Sequence, residues 1–229
     1  SDDSIHLQHA LSTKASLIDI GHAGTAMRFL VGYFASKQNS EVVLTGSERM
    51  QQRPIGILVE ALKDLGVDIS YEAKERYPPV RIKGKAITKD NVQINGNVSS
   101  QYISSLILMG THLEKGLTIE LIGKITSIPY IEMTLSLLNQ LGMETHFEGN
   151  TIKVLPAKQL QKQTVVVESD WSSASYFYSV AAFSKVGSAI QLSAYKKESL
   201  QGDSCLAEIY THFGVETVFD QNTIILKKV

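Results

Sequence analysis

The sequence predicts an α/β protein assembled from repeated βαβ-type units, and three observations carry that prediction. Three segments share one order: a small polar motif opening an apolar helix, a strand, a second helix ending Leu/Phe-Gly-Val/Met, then two strands. The glycines closing the second helices, Gly66, Gly142 and Gly214, lie 76 and 72 residues apart. Matching residues at the first helices, Gly24, Ser100 and Ser173, lie 76 and 73 apart.

The first repeat, 21–84, predicts helix His22–Ser36, strand Glu41–Gly46, helix Pro54–Leu65 and strands Val67–Glu72 and Val80–Gly84. The second, 97–155, predicts helix Ser99–His112, strand Leu117–Gly123, helix Pro129–Leu141 and strands Met143–Glu148 and Thr151–Leu155. The third opens at Ser169 and predicts helix Ser172–Lys185, strand Ala189–Ala194, helix Ser204–Phe213 and strands Glu216–Asp220 and Thr223–Lys227. Glycine after a helical apolar pattern is the expected left-handed C-terminal cap. Val165-Val166-Val167 and Leu117–Leu121 have the β-branched and apolar character of strands. Glu148-Gly149-Asn150-Thr151 and Asp220-Gln221-Asn222-Thr223 read as hairpin turns. Ile131, Leu135, Leu138 and Leu141 fall on one helical stripe and belong to a core. The first helices are apolar nearly all round and should be buried, with the sheets outside them. The polar stretch Pro156–Gln163 reads as a solvated link.

Composition narrows the class of function. The chain has 229 residues, 43% hydrophobic and 20% charged, with Lys plus Arg at 22 against Asp plus Glu at 23. That balance gives no reason to expect nucleic acid or an anionic membrane as partner. No apolar run approaches the ~18 residues of a membrane span. Cys205 stands alone, without an activating signature, which fits a reducing compartment and an incidental thiol. His6 and His9 are spaced for one helix face but lack a third ligand, so no metal site is expected.

The openings of the first helices are more informative. Gly21-His22-Ala23-Gly24-Thr25, Val98-Ser99-Ser100-Gln101 and Asp170-Trp171-Ser172-Ser173 place glycine or hydroxyl residues where a first turn has unpaired N–H groups. Ordinary capping explains any one copy. Three copies at matching positions point to anion binding, which small residues and the helix dipole both favour. Asp170 is the exception, since a carboxylate there repels an anion. All five arginines, Arg28, Arg49, Arg53, Arg76 and Arg81, lie in the first 81 residues, while the 17 lysines are spread throughout. Arginine is the bidentate binder of phosphate and carboxylate. Glu48 through Gly56 follows a strand and precedes a helix in which Pro54 suits the first position, and reads as a loop delivering arginines to a helix mouth.

The motifs Gly24-Thr25-Ala26-Met27-Arg28, Glu48-Arg49-Met50 through Arg53-Pro54-Ile55-Gly56, Val98-Ser99-Ser100-Gln101-Tyr102, Ser127-Ile128-Pro129-Tyr130-Ile131 and Ser172 through Phe177 run in one order across almost the whole chain. Together they resemble the enolpyruvyl transferases, and among them the shikimate-type synthases. The resemblance implies an inside-out α/β barrel domain over most of 1–163 and one repeat of a second such domain over 164–229. It implies transfer of the enolpyruvyl group from phosphoenolpyruvate to the 5-hydroxyl of shikimate 3-phosphate with release of phosphate, in a cytoplasmic, monomeric enzyme using no cofactor. Gly24, Arg53 and Gln101 match phosphoenolpyruvate-binding positions, and Ser99, Ser100, Gln101, Ser127 and Tyr130 match shikimate-3-phosphate positions. Two departures are His22, where that family usually has Asn, and Phe29, where it commonly has Pro. The family's acid/base Asp and Glu motifs would follow Val229 and its Lys-Ser…Arg segment would precede Ser1. No catalytic residue is therefore assigned, and the chain alone is expected to be inactive. The alternatives are a UDP-N-acetylglucosamine enolpyruvyl transferase, whose reactive loop cysteine is not matched by Cys205, and a non-catalytic anion-binding fragment.

Overall fold

Val42 and Leu44 on one strand, Val80 and Ile82 on its neighbour and Ile69 on the next share one buried face, and this period-two burial sets the first sheet of the computed structural model. Residues 2–158 and 162–229 are described. The first sheet has the order β1 (Leu17–Asp19), β2 (Glu41–Thr45), β4 (Val80–Lys83), β3 (Asp68–Tyr71). The second repeats it as β5 (Asn91–Asn95), β6 (Leu117–Ile122), β8 (Thr151–Val154), β7 (Thr145–Glu148). In both, the first two strands run parallel and the others antiparallel. Each parallel pair is joined by an apolar helix, α2 (Gly24–Ser36) or α4 (Ser100–Gly110), which makes a βαβ unit. The α/β repeat architecture expected from the sequence is therefore present.

The chain divides into two lobes, Ser1–Leu160 and Gln161–Val229. In the first lobe α2 and α4 pack on each other, α2 against β2 and β4 and α4 against β6, so the two sheets lie outside the helix pair. Met27, Leu30, Ile103, Leu106 and Ile107 are fully buried between them. The approach is close: a Cβ on Gly32 would sit 2.6 Å from Ser105 Oγ. A terminal helix, α1 (Asp2–Ser12), packs on α2, and α3 (Gly56–Asp64) and α5 (Ile128–Gln140) are the second helices. Ile131, Leu135 and Leu138 are buried, while Leu141 is half-buried.

The second lobe contains α6 (Trp171–Phe183), α7 (Leu206–Ile209) and a sheet ordered β10 (Val215–Asp220), β11 (Thr223–Lys228), β9 (Ala189–Ser193). Its core is small: Trp171, Ala174, Tyr178, Ala181, Tyr195, Val215, Ile224 and Leu226.

Several details differ from the sequence reading. The first strands β1 and β5 and helix α1 were not anticipated. Val165-Val166-Val167 form no strand and are 52, 62 and 82% exposed. A β-branched run gains nothing from extended pairing when neither of its faces is covered. The helix expected over Ser204–Phe213 is a single α-turn, α7, flanked by 3₁₀ turns at Gly202–Cys205 and Tyr210–Phe213, and Cys205 is exposed. Pro54 lies outside α3, which starts at Gly56 because Ile55 has a non-helical backbone (φ −133°, ψ 6°) and serves as the N-cap. The expectation that all first helices are buried fails for α6, whose Tyr176, Phe177, Val180 and Phe183 are exposed on a face that no described element of its lobe covers. Gly66, Gly142 and Gly214 do adopt the left-handed conformation, with φ of 89°, 85° and 70°. The link Pro156–Gln163 falls partly outside the described residues.

Candidate anion-binding site at the helix mouths

The N-termini of α2 and α4 lie side by side, and three contacts fix this. In the first turns Gln101 Nε2 donates to Thr25 Oγ1 at 3.1 Å. One turn further in, Ser105 Oγ donates to the Arg28 carbonyl at 2.7 Å. Beyond that, Gly32 rests on Ser105 and Met109. The contacts advance together along both helices, so the helices run in the same direction and present their unpaired N–H groups at the same end. The mouth of α4 is capped by Ser99, whose Oγ accepts from the Gln101 N–H at 3.4 Å; the mouth of α2, after Ala23, has no side-chain cap. The Thr126 N–H bonds the Gly96 carbonyl at 2.9 Å, just before both helices, which brings the start of α5 to this end as well, and further in the Ser104 and Thr134 hydroxyls meet at 2.8 Å.

Arginine reaches the α2 mouth on a folded loop. The Ser47 N–H bonds the Gly21 carbonyl, Gln51 Nε2 bonds the Gly46 carbonyl and Met50 is buried, so the loop after β2 turns back along the start of α2. A 3₁₀ turn over Met50–Gln52 then presents Arg53, with its N–H on the Met50 carbonyl at 3.0 Å. The guanidinium lies against Gly24: a Cβ there would come 2.2 Å from Nη1. His22, Arg49, Met50 and Arg53 line a cleft of about 420 Å³ at this point. His22 Nδ1 and Ser47 Oγ are 2.8 Å apart.

A second guanidinium lies behind the mouth. Arg28 is only 4% exposed, donates from Nη1 to the Gly24 carbonyl at 2.9 Å and stands 6.0 Å from the Tyr102 ring. Its Nε is buried without a partner among the described residues. Burial first, and then the neighbouring Arg53, push its pKa below the ordinary arginine value, while Tyr102 acts in the other direction. Arg76 and Arg81, by contrast, are committed to ion pairs with Glu60 and with Glu41 and Glu72. Among the described residues no carboxylate pairs with Arg28, Arg49 or Arg53. Two cations facing a helix N-terminus, with no internal counter-ion, make a field that selects an anion.

The residues expected to hold shikimate 3-phosphate cluster around α4 and α5. Ser99 and Ser100 open α4, and Ser127 immediately precedes α5. Ser127 has a left-handed backbone (φ 57°) and no capping bond, and Tyr130 in the following turn is 47% exposed. A non-glycine residue in that region stores strain of about 1 kcal/mol, which marks the position as one the surroundings impose. Phe29 does not reach this end. It lines an apolar pocket with Leu7, Leu11, Tyr33, Leu108 and His112. Thr25, Arg28 and Tyr102 were given no role in the sequence reading. Arg28 did carry a signal, being a charged residue inside an otherwise apolar helix, one turn after Gly24.

The mouth of α6 is different in kind. Asp170 caps it, accepting from the Ser172 N–H at 2.9 Å and from Ser173 Oγ at 2.8 Å, and Ser172 Oγ donates to Asp203. Two carboxylates occupy the donors that an anion needs. Among the described residues no group of three or more His, Cys, Asp or Glu could hold a metal ion, and no described helix is long and apolar enough to cross a membrane.

Comparison with known proteins adds an independent line. The family model for EPSP synthase (3-phosphoshikimate 1-carboxyvinyltransferase) matches residues 3–228. The 3-phosphoshikimate 1-carboxyvinyltransferase of Bacteroides fragilis is 43% identical over 227 residues, covering 99% of this chain and 55% of that protein. The one from a Marinomonas species is 37% identical over 207 residues, covering 90% of this chain and 48% of that protein. The chain thus spans about half the length of these relatives. The solved structure of EPSP synthase from Acinetobacter baumannii superposes with a TM-score of 0.71 over 93% of this chain and 47% of that one, at 24% identity. That last match is a likeness of fold.

Proposed function

We propose that this chain, which belongs to the EPSP synthase (3-phosphoshikimate 1-carboxyvinyltransferase) family, supplies the anion-binding half of an enzyme that transfers the enolpyruvyl group from phosphoenolpyruvate to shikimate 3-phosphate. On this reading the first lobe is most of one domain of the enzyme and the second lobe is one repeat of another. In the reaction the 5-hydroxyl of shikimate 3-phosphate gives up its proton as its oxygen bonds C2 of phosphoenolpyruvate and C3 takes a proton. C3 then loses a proton as the C2–O bond to phosphate breaks, which restores the double bond and releases phosphate. The single observation that carries the reading is the pair of adjacent helix mouths, with Arg28 and Arg53 beside Gly24 and no carboxylate among the described residues to neutralise them.

The chain's own residues have binding and orienting roles. Arg53 forks onto an anionic group of phosphoenolpyruvate at the α2 mouth, and Gly24 lets that group approach the backbone N–H groups. Gln101 stands at both mouths; one of its two amide N–H groups is held by Thr25, which leaves the other to donate to phosphoenolpyruvate and its carbonyl oxygen to accept from a hydroxyl of shikimate 3-phosphate. Ser99, Ser100 and Ser127 give hydroxyl donors for shikimate 3-phosphate, and the exposed Tyr130 ring offers an apolar face with one polar tip. These groups accelerate the reaction by holding two anions side by side.

A coupled phosphate-release assay on the full-length parent tests the reading. Arg53→Ala should raise KM for phosphoenolpyruvate far more than for shikimate 3-phosphate, by about 2–5 kcal/mol of lost binding for a desolvated charge pair. Ser127→Ala or Tyr130→Ala should do the reverse. The 229-residue chain alone should release no phosphate. Equal losses for both ligands in every variant would overturn the assignment of sites to ligands.

A further inference from the structure

We propose that Tyr102 is a positioning residue for Arg53: its hydroxyl fixes the loop that carries the arginine to the first turn of α4. The inference rests on the functional reading above and adds to it a residue outside the binding set.

Tyr102 is in the first turn of α4 and 7% exposed. Its hydroxyl donates to the Pro54 carbonyl at 2.6 Å, across 48 residues of sequence. That carbonyl is free to accept because α3 begins only at Gly56. Pro54 has no N–H, so this carbonyl is its one polar backbone group. On the N-terminal side the segment is held by the Arg53 N–H on the Met50 carbonyl at 3.0 Å, and on the C-terminal side by the Ile55 N–H on the Arg76 carbonyl at 2.9 Å. The Tyr102 bond is the tie between those two anchors, and the only one of the three that reaches α4. Beyond the backbone, the Arg53 side chain has no carboxylate among the described residues to steer it, so its placement against Gly24 depends on where Pro54 is held. The Tyr102 ring also lies 6.0 Å from the buried Arg28 guanidinium, so one side chain touches the supports of both cations at the α2 mouth.

Tyr102→Phe removes the hydroxyl and keeps the ring, so the core packing of α4 is retained. Amide exchange on the ligand-free 229-residue chain should quicken at Arg53 and Ile55 by about tenfold, with Ile103–Met109 unchanged, as expected for a local opening. Titration with phosphoenolpyruvate should show affinity lowered about 3- to 10-fold, in the range of one lost neutral hydrogen bond, with shikimate 3-phosphate within about twofold. In an Arg53→Ala background, Tyr102→Phe should cause a much smaller further loss for phosphoenolpyruvate, because its main effect runs through Arg53 and only the hydroxyl's interaction with Arg28 remains. Unchanged exchange at Arg53 and Ile55 overturns the proposal, and so does an undiminished loss in the Arg53→Ala background. A wild-type chain that binds neither ligand overturns the functional reading instead, and the exchange experiment still decides the role of Tyr102.

Discussion

Replacing Gly24 with Ala isolates the contact between a helix mouth and its arginine. The backbone there is ordinary first-turn helix, so alanine introduces no torsional strain, and its helix propensity is better by up to about 1 kcal/mol. The added Cβ, however, would lie 2.2 Å from Arg53 Nη1 and 2.8 Å from Cζ and Nη2. Ordinary carbon contact is about 3.5–4.0 Å, so the guanidinium must withdraw by about 1.3 Å or more. It is the far end of an exposed, flexible side chain and can do so without disturbing the core. The same displacement takes a charge-assisted bond of about 2.8 Å out of range, at a cost of about 1.5–3 kcal/mol, or roughly 10- to 100-fold in affinity. Phosphoenolpyruvate should therefore bind much more weakly to Gly24→Ala, with shikimate 3-phosphate affinity and the melting temperature nearly unchanged. Titration calorimetry on both ligands, with a thermal melt as control, measures all three. A variant that loses both ligands equally, or that melts well below the wild type, would refute the reasoning.

Other outcomes follow from the packing and the charges. The chain's only tryptophan, Trp171, is fully buried in the second lobe, whose core is far smaller than that of the first. Its fluorescence should report unfolding at a lower temperature than far-ultraviolet dichroism, which is dominated by the first lobe; coincident midpoints would count against two separate cores. Arg81, bonded to Glu72 at 2.8 Å and 3.1 Å, holds that carboxyl below its ordinary value of 4.5. A depressed carboxyl stabilises the fold above the unfolded-state pKa and loses that contribution as pH falls through the folded-state value. Denaturation midpoints of wild type and Arg81→Ala should therefore differ at pH 7 and converge as pH falls below 4.5 through the folded-state value. The pair is exposed, so a large difference that persists in acid would point to a packing role for Arg81 instead.

What the sequence made legible was whatever repeats or keeps a regular period. The three glycines at similar spacings, 76 and 72 residues, located the helix ends, and β7–β8 and β10–β11 closed as hairpins at the turns read from Glu148–Thr151 and Asp220–Thr223. The first strands were missed for two different reasons. At three residues, Leu17–Asp19 is too short to show a period, whereas Asn91–Asn95 does alternate, with Val92 and Ile94 buried, and that alternation was readable. Val165-Val166-Val167 misled because composition records preference and not cover. At the site, the small residues opening α2 and α4 were legible one mouth at a time. That the two mouths stand together depends on Gln101 reaching Thr25 across 76 residues, a tertiary contact with no local signature. The same holds for Tyr102 and Pro54. Arg28 needed the structure to show that it is buried and that its Nε has no partner among the described residues.

The central claim is that two adjacent helix mouths receive two different anions. Amide chemical-shift mapping of the chain with each ligand in turn tests it most directly. Phosphoenolpyruvate should move Gly24, Thr25 and Arg53, shikimate 3-phosphate should move Ser99, Ser100, Ser127 and Tyr130, and Gln101 should respond to both. Ser172 and Ser173, whose mouth is already filled by Asp170 and Asp203, should respond to neither. Shifts centred on Ser172 and Ser173, or one set of shifts common to both ligands, would contradict the account.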